Sequence, residues 1–130
     1  MAEIEIKAPF SLSVNVIEID DYLPSFKLKM IHKKEGKNYN FNNEIKFWIE
    51  CHKWDVFLEQ IKEGKYIELI DMDNIIRFNF QLINGTFIVR INSSINSIEI
   101  NNVISIYEYK VEEELFKQII NKFKEFPKWW

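Results

Sequence analysis

Apolar and polar residues alternate along the first part of the chain, and the alternation stops at residues that favour turns. From residue 3 to residue 16 the apolar positions are Ile4, Ile6, Phe10, Leu12, Val14 and Val16. A period of two is typical of a strand with one buried face. Pro9 has no backbone donor and interrupts the pattern, which predicts an edge strand or a break between two short strands. Residues 17–24 contain Asp20 and Asp21 and are predicted to form a turn.

The same alternation continues in two longer segments that we expect to pair as a hairpin. Their apolar positions are Phe26, Leu28 and Met30 in the first segment, and Tyr39, Phe41, Ile45, Phe47 and Ile49 in the second. Residues 33–38 between them are polar and include Gly36, which can adopt a positive φ in a turn. Asn42 and Asn43 interrupt the apolar positions of the second segment, where a bulge or a kink is predicted.

Residues 48–64 mark a change of period from two to 3.6. The apolar residues at this period are Trp54, Phe57, Leu58 and Ile61. They stand at i, i+3, i+4 and i+7, so all four lie on one face of a helix. Gly64 suits the position just after a helix, where a left-handed conformation is common. The segment therefore predicts the end of a strand and then a short amphipathic helix that packs against the sheet and ends at Gly64.

After residue 64 the period returns to two, and turn signals divide the chain into strands. The predicted strands are residues 66–71, 75–82, 87–91 and 98–109. Residues 72–74 and 92–94 are rich in Asp, Asn and Ser and are predicted to be turns. The pair Asn84 and Gly85 favours a type I′ hairpin turn, because both central positions of that turn need a positive φ. These signals predict antiparallel strands joined by short connections.

The carboxy-terminal part of the chain has a period of 3.6 again, from residue 111 to residue 126. Its apolar face holds Leu115, Phe116, Ile119, Ile120 and Phe123. Three glutamates at residues 112–114 stand at the helix start, where negative charge meets the positive end of the helix dipole. Pro127 ends the pattern. The order of elements predicts a single α+β domain over residues 1–130, with one antiparallel sheet of about six to seven strands and two helices packed on one face, one central and one carboxy-terminal.

Composition and charge narrow the possible classes of function. The net charge of -3 and the pI near 5.5 do not favour nucleic-acid binding, which needs clustered Lys and Arg. An acidic domain is compatible with a basic protein partner. Cys51 is the single cysteine, so no disulfide can form within the chain, and no segment reaches the roughly 18 apolar residues of a membrane span. The start of the chain lacks the pattern of a signal peptide, so we expect a cytoplasmic protein without a membrane or nucleic-acid partner.

Three groups of residues could carry chemistry, and each has a simpler structural explanation. Cys51 and His52 could act as a thiolate–imidazole pair, but neighbouring side chains point apart on both strands and helices. His52, Asp55 and Glu59 share one side of the predicted helix, but the cysteine or histidine cluster of a strong metal site does not accompany them. Residues 71–74 begin like a calcium loop, but an isoleucine takes the place of the next oxygen ligand. We therefore predict no catalytic residue, no metal site and no cofactor.

Partner binding is the remaining kind of site that the side chains support. The candidate partner-binding residues are Trp129, Trp130, Glu112, Glu113, Asp20 and Asp21. The two terminal tryptophans either cover the sheet or stay exposed as an interaction surface. The acidic residues could form a patch for a cationic partner, although charge at a helix start often serves solvation and the helix dipole. Edge strands near residues 7–10 could pair two copies, so we expect a monomer or a weak homodimer.

Residues 48–71 also carry a pattern that can be compared with known families. They read Trp-x5-Trp-x2-Phe-Leu-x2-Ile-x2-Gly, followed by a strand that ends in Asp71. This pattern, with strands before it and antiparallel strands and a helix after it, resembles that of small bacterial immunity proteins. Such proteins are dedicated inhibitors encoded beside polymorphic or contact-dependent toxins. The resemblance implies stoichiometric binding of a cognate toxin domain without catalysis or a cofactor, and it assigns no binding residues. A small ligand-binding or protein-assembly module remains the alternative, and an enzyme is not expected.

Overall fold

The computed structural model describes residues 2–63, 66–96 and 102–130, and those ranges contain eight strands and two helices. The strands are β1 (Ile4–Ile6), β2 (Ser11–Asp20), β3 (Ser25–Gly36), β4 (Tyr39–Glu50), β5 (Tyr66–Ile70), β6 (Ile76–Ile83), β7 (Thr86–Asn96) and β8 (Asn102–Val111). The helices are α1 (Cys51–Glu63), between β4 and β5, and α2 (Glu113–Lys124), after β8. The α+β class predicted from the order of the elements is confirmed.

The strands form two antiparallel sheets of four strands each. The first sheet has the order β1-β2-β3-β4, and the second has the order β5-β6-β7-β8. The antiparallel pairing is as predicted, but the expectation of one sheet of about six to seven strands is wrong. α1 separates the two groups of strands in the chain, and β5 pairs with β6 and not with β4. Alternation indicates which face of a strand is buried, but it does not indicate which sheet the strand joins.

The two sheets face each other at one end of the molecule through β8. The contacts along β8 run in order from Ser105 on Asn43, through Tyr107 on His32, to Tyr109 on Phe10. These partners belong to β4, to β3 and to the residue just before β2. β8 therefore crosses the strands of the first sheet in turn and does not run along one of them.

The two helices fill the space between the sheets, where aromatic rings form the centre of one core. The ring of Phe123 in α2 lies 6.4 Å from Trp54 and 5.7 Å from Phe57 in α1, and 5.8 Å from Phe78 and 5.2 Å from Phe80 in β6. Trp54 also contacts Phe26 of the first sheet at 5.7 Å. The helices thus lie between two sheets, which corrects the expected packing on one face of a single sheet. Within the described ranges, neither helix has the length and apolar character needed to cross a membrane.

The helical faces and the tight turns agree with the predictions. Buried side chains include Trp54, Phe57 and Ile61 in α1 and Phe116, Ile119 and Phe123 in α2. Asn84 and Gly85 have φ of 49° and 78°, as a type I′ turn requires. The predicted break at Pro9 lies between β1 and β2. Gly64, the predicted end of the first helix, and residues 98–101, the predicted start of the last strand, lie outside the described residues.

Two of the predicted turns and irregularities are wrong, and a third is only partly right. The turn predicted for residues 17–24 is confined to residues 21–24, because β2 continues to Asp20 and stays paired with β3 across a bulge. β7 continues through residues 92–94, where Ser93 is buried and its hydroxyl contacts a serine hydroxyl of β8. β4 pairs with β3 without a shift at residues 42–43. In each case pairing with a neighbouring strand outweighs the local turn preference of Asp, Asn and Ser.

Candidate functional site

The β2–β3 turn and the carboxy terminus meet at one end of the molecule. The rings of Trp129 and Trp130 lie 5.3 and 5.2 Å from the ring of Phe26. Phe26 in β3 pairs with Ile19 in β2, directly before the turn. Seven residues from the two segments form what we call the turn–tryptophan surface: Ile19, Asp20, Asp21, Tyr22, Leu23, Trp129 and Trp130.

Asp20 determines the shape of the turn. Its Oδ1 accepts hydrogen bonds from the backbone N–H groups of Tyr22 at 2.9 Å and Leu23 at 3.3 Å. A carboxylate that accepts from residues two and three positions ahead stabilises a turn locally. Tyr22 is 100% exposed and Leu23 is 50% exposed. The Asp20 carboxylate is therefore committed to the backbone, and the turn presents two apolar side chains to solvent.

Trp130 fixes the carboxy terminus to α1. Its ring stacks on Phe26 and its Nε1 donates to the carboxylate of Asp55, at 3.2 Å to Oδ1 and 3.3 Å to Oδ2. Lys128 forms an ion pair with the same carboxylate at 2.6 Å, and its Nζ lies 5.4 Å from the centre of the Trp130 ring. Trp130 is only partly exposed, whereas Trp129 is 42% exposed. Trp130 is thus an anchor, and Trp129 is the tryptophan more available for contact.

Cys51 and His52, the pair considered for thiolate chemistry, lie at the start of α1 beside this surface. Cys51 is buried and its backbone N–H donates to Pro24 of the turn at 3.0 Å, whereas His52 is exposed. Burial raises the pKa of the Cys51 thiol, and the negative charges of Asp55 and Asp21 raise it further. A thiol with a raised pKa stays protonated and is a poor nucleophile. The geometry is that of a packing residue beside a surface residue.

Glu112 and Glu113 lie apart from the other candidate residues. Glu112 precedes the first turn of α2, and Glu113 in that turn pairs with Lys117 at 3.1 Å. The tryptophans follow the opposite end of α2, and a helix of 12 residues is about 18 Å long. The structure therefore brings the two aspartates of the turn together with the two tryptophans, and it separates both glutamates from them.

The candidate metal ligands are engaged by other groups. Asp55 binds Lys128 and Trp130, and Glu59 pairs with Lys62 at 3.2 Å. The carboxylate of Asp71 accepts hydrogen bonds from the backbone N–H groups of Asp73 in the turn and of Ile76 at the start of β6. No group of three or more His, Cys, Asp or Glu side chains suited to a metal ion occurs in the described ranges. Residues 71–74 are the hairpin turn that their composition indicates.

Two features of the structure lie outside the sequence predictions. His32 is buried, and its Nε2 lies 2.7 Å from Oη of Tyr109. His32 follows Met30 by two positions, so continuing the alternation of that strand would have placed it in the core. Tyr22 and Leu23 are exposed in a segment predicted as a turn, and apolar residues in a turn are a signal of an exposed contact surface.

The turn–tryptophan surface combines groups that protein interfaces use. Tyr and Trp are enriched at interface hot spots, and apolar contact regions are commonly bordered by polar side chains. Here Tyr22, Leu23 and Trp129 supply apolar area, and the exposed Asp21 supplies negative charge. Comparison of the chain with models of protein families, with curated proteins and with solved structures found no match.

Proposed function

We propose that this protein is an immunity protein that neutralises a cognate bacterial toxin domain by stoichiometric binding. Residues 48–71 support the proposal through their resemblance to the pattern of small bacterial immunity proteins. The observation that carries the proposal is the full exposure of Tyr22 on a turn ordered by the Asp20 carboxylate. A large aromatic side chain held in solvent is suited to contact with a partner that covers it.

The expected contact region centres on the apolar side chains of the turn–tryptophan surface. A few aromatic anchors commonly carry most of the free energy of binding at an interface. Tyr22 is fully exposed, and Leu23 and Trp129 offer partly exposed apolar area on the two segments that form the surface. Trp130 is fixed by Phe26 and Asp55, so it holds the terminal segment in place before the partner arrives. Such preorganisation lowers the entropy cost of binding.

The charge on and beside this surface favours a basic partner. Asp21 is exposed in the turn, Glu18 is exposed on the adjoining part of β2, and the whole chain has a net charge of -3. Opposite charges on two proteins increase the rate of association, and salt screens this effect. We therefore expect the complex to form more slowly at high ionic strength, with a smaller change in its rate of dissociation.

Co-expression with the toxin tests the proposal. The expected target is the carboxy-terminal domain of a large secreted toxin, whose gene should lie beside the gene of this protein if the proposal is correct. Cells that produce this domain should stop growing, and the wild-type protein should restore growth and co-purify with the domain in a one-to-one complex. Tyr22→Ala and Trp129→Ala should each weaken the complex by about tenfold or more.

Leu82→Ala is the matched control for these variants. Leu82 is also 50% exposed, but it lies in the β6–β7 hairpin, where its partner Phe87 packs against Phe116 near the start of α2. Its loss should leave growth rescue and affinity unchanged. Failure of the wild-type protein both to restore growth and to form a complex would contradict the proposal.

A double substitution separates binding from catalysis. Cys51→Ala combined with His52→Ala removes both residues of the only thiol–imidazole pair adjacent in the sequence. If binding alone neutralises the toxin, this variant should still restore growth at equal expression. Loss of rescue with an intact, correctly folded complex would favour an enzyme instead.

A further inference from the structure

The strand β8 has one side that no strand of the described ranges pairs with. It is the last strand of the second sheet, with β7 on its other side. Unpaired N–H and C=O groups at a sheet edge can pair with another strand. Ile104 and Ile106 on β8 are 66% and 67% exposed, and the stretch from Asn102 to Tyr107 carries no charged residue. This half of β8 therefore lacks the charges that commonly protect an edge.

The other sheet edges are shorter or carry charges in the middle. β1 has 3 residues and β5 has 5. β4 has 12 residues, but Glu44 and Lys46 lie near its centre, and Glu44 pairs with Lys29 of β3. A bulge between Val16 and Glu18 interrupts the part of β2 that extends beyond β1. β8 is thus the described edge best suited to accept a strand.

The β3–β4 hairpin extends beyond β8 and forms a floor beside it. In the direction of the hairpin tip, β4 meets the second sheet first through Phe47 on Phe78 of β6 (6.4 Å) and then through Asn43 on Ser105 of β8 (3.4 Å). β8 is therefore the last strand that β4 passes, and the tip of the hairpin projects past its free side. On this projecting part, Tyr39 and Phe41 occupy the core-facing row of β4, yet they are 46% and 49% exposed.

The two exposed rings are held in place before any partner binds. Their centroids are 5.5 Å apart, and Phe41 also contacts Tyr107 of β8 at 5.9 Å. The ring of Tyr39 packs across Gly36, its pairing partner in β3, where a Cβ atom would collide with it. Phe41 and Tyr39 are two and four residues beyond Asn43 along β4, which is about 7 and 13 Å at the rise of a strand. Neighbouring strands lie about 4.8 Å apart, so one further strand beside β8 would lie over Phe41 and be bordered by Tyr39.

We propose that β8 is the docking edge for one extended strand of a partner protein. The strand pairs with β8 between Asn102 and Tyr107. Side chains on one of its faces lie on Phe41 and beside Tyr39, and those on the other face extend the exposed surface of Ile104 and Ile106. The uncharged edge from Asn102 to Tyr107 and the aromatic rings of Tyr39 and Phe41 favour an uncharged strand of about six residues with apolar side chains at alternate positions.

The β8 strand of a second copy of this chain does not fit in the same position beside β8. In a symmetric antiparallel pair, β8 of each copy would lie over the projecting hairpin of the other. Each β8 already lies over its own β3 and β4, so the two hairpins would occupy the same space. The partner strand therefore comes from a different protein. This docking edge is separate from the turn–tryptophan surface and does not depend on the toxin being the ligand.

A synthetic strand tests the docking edge directly. The probe is a fluorescein-labelled peptide of about ten residues in which valine and threonine alternate between terminal lysines. The same peptide N-methylated at all interior residues keeps the side chains and loses the backbone donors. Fluorescence anisotropy should show saturable binding of the first peptide to the wild-type protein and binding at least about tenfold weaker of the methylated peptide.

Protein variants locate the binding to β8. Ile106→Lys adds charge at the edge and Phe41→Ala removes part of the floor, so each should weaken peptide binding by about tenfold. Leu82→Lys places the same charge at a half-exposed position of another hairpin and should leave binding unchanged. Absence of saturable binding to the wild-type protein, or equal binding of the methylated peptide, would overturn the proposal. So would a wild-type dimer in sedimentation analysis that Ile106→Lys dissociates, because a second copy would then occupy the edge.

Discussion

His32 and Tyr109, which are 77 positions apart in the chain, meet in the core with 2.7 Å between the imidazole Nε2 and the phenol Oη. His32 is completely buried, and its Nδ1 has no hydrogen-bond partner in the part of the chain that the structure describes. The rings of Tyr107 and Phe10 lie edge-on to the imidazole at 4.4 and 5.5 Å. A protonated imidazole has two N–H donors and a charge, so burial in this site lowers the pKa of His32 to about 4.

The low pKa of His32 predicts that the protein loses stability as the pH falls below neutrality. The unfolded chain binds the proton near pH 6.5, whereas the folded protein binds it near pH 4. Between these values the unfolded state holds more protons, so the free energy of unfolding decreases with decreasing pH. The contribution of His32 is fully present above pH 6.5, and roughly 3 kcal/mol is lost on descending to pH 4. Urea unfolding at a series of pH values measures this decrease.

The variant His32→Phe is the control for the pH profile. It keeps an aromatic ring in the core and removes the titrating group. The carboxylates titrate in both proteins, so their contribution cancels when the two profiles are subtracted. The difference between the profiles should follow the titration of one histidine between pH 6.5 and about 4. Identical slopes for the two proteins over this interval would show that His32 does not control the profile.

The hydrogen bond itself predicts strong coupling between the two residues. Tyr109→Phe leaves Nε2 of His32 buried without a partner, and it should cost about 1–3 kcal/mol because an unpaired buried polar group keeps its full desolvation cost. His32→Phe removes this partner from the Tyr109 hydroxyl, which is only partly buried, so the desolvation cost of the hydroxyl should be smaller. The double variant should lose about 1–2 kcal/mol less than the sum, since it removes both polar groups. Additive losses in a urea-unfolding cycle would mean that the contact contributes no coupling.

The parts of the fold that follow from local spacing were accessible from the sequence. Trp54 and Phe57 lie on one face of α1 because the helical period places them there. Gly85 and Asn84 form the predicted turn, since few other residues adopt a positive φ at both positions. These features depend on residues within a few positions of one another. The predictions hold because the faces defined by the local period are the faces that are buried in the core.

The parts that depend on distant contacts were not accessible in this way. The division into two sheets occurs at α1, which lies between β4 and β5 in the chain. β4 ends the first sheet, and β5 pairs with β6 in the second. The role of Trp130 depends on Phe26 and Asp55, which are remote from it in the chain. Of the residues in the candidate site, the sequence indicated Asp20, Asp21, Trp129 and Trp130. It did not indicate that the β2–β3 turn and the carboxy-terminal tryptophans are neighbours. Nor did it indicate that Glu112 lies apart from them.

Phe123 is predicted to be the most costly single truncation in α2. It is buried, and its ring contacts aromatic rings of α1 and of β6. Phe123→Ala leaves a cavity where both helices and the second sheet meet, and it should lower the free energy of unfolding by about 3–5 kcal/mol. Urea unfolding measures the loss. Lys122→Ala, an exposed neighbour on the same helix, should change stability by less than about 0.5 kcal/mol. Equal losses for the two variants would place Phe123 outside the core.

The two terminal tryptophans are predicted to have separate roles. Trp130→Ala removes a ring stacked on Phe26 and an N–H donor to Asp55, so it should cost about 1–2 kcal/mol of stability. Trp129 is more exposed, so Trp129→Ala should cost less than about 1 kcal/mol and act mainly on the proposed complex with a toxin domain. Trp130→Phe keeps the ring and removes the donor, which separates packing from hydrogen bonding. Thermal unfolding and the affinity for the toxin domain, measured on all three variants, give the comparison. A larger loss of stability for Trp129→Ala than for Trp130→Ala would reverse the assignment of anchor and contact residue.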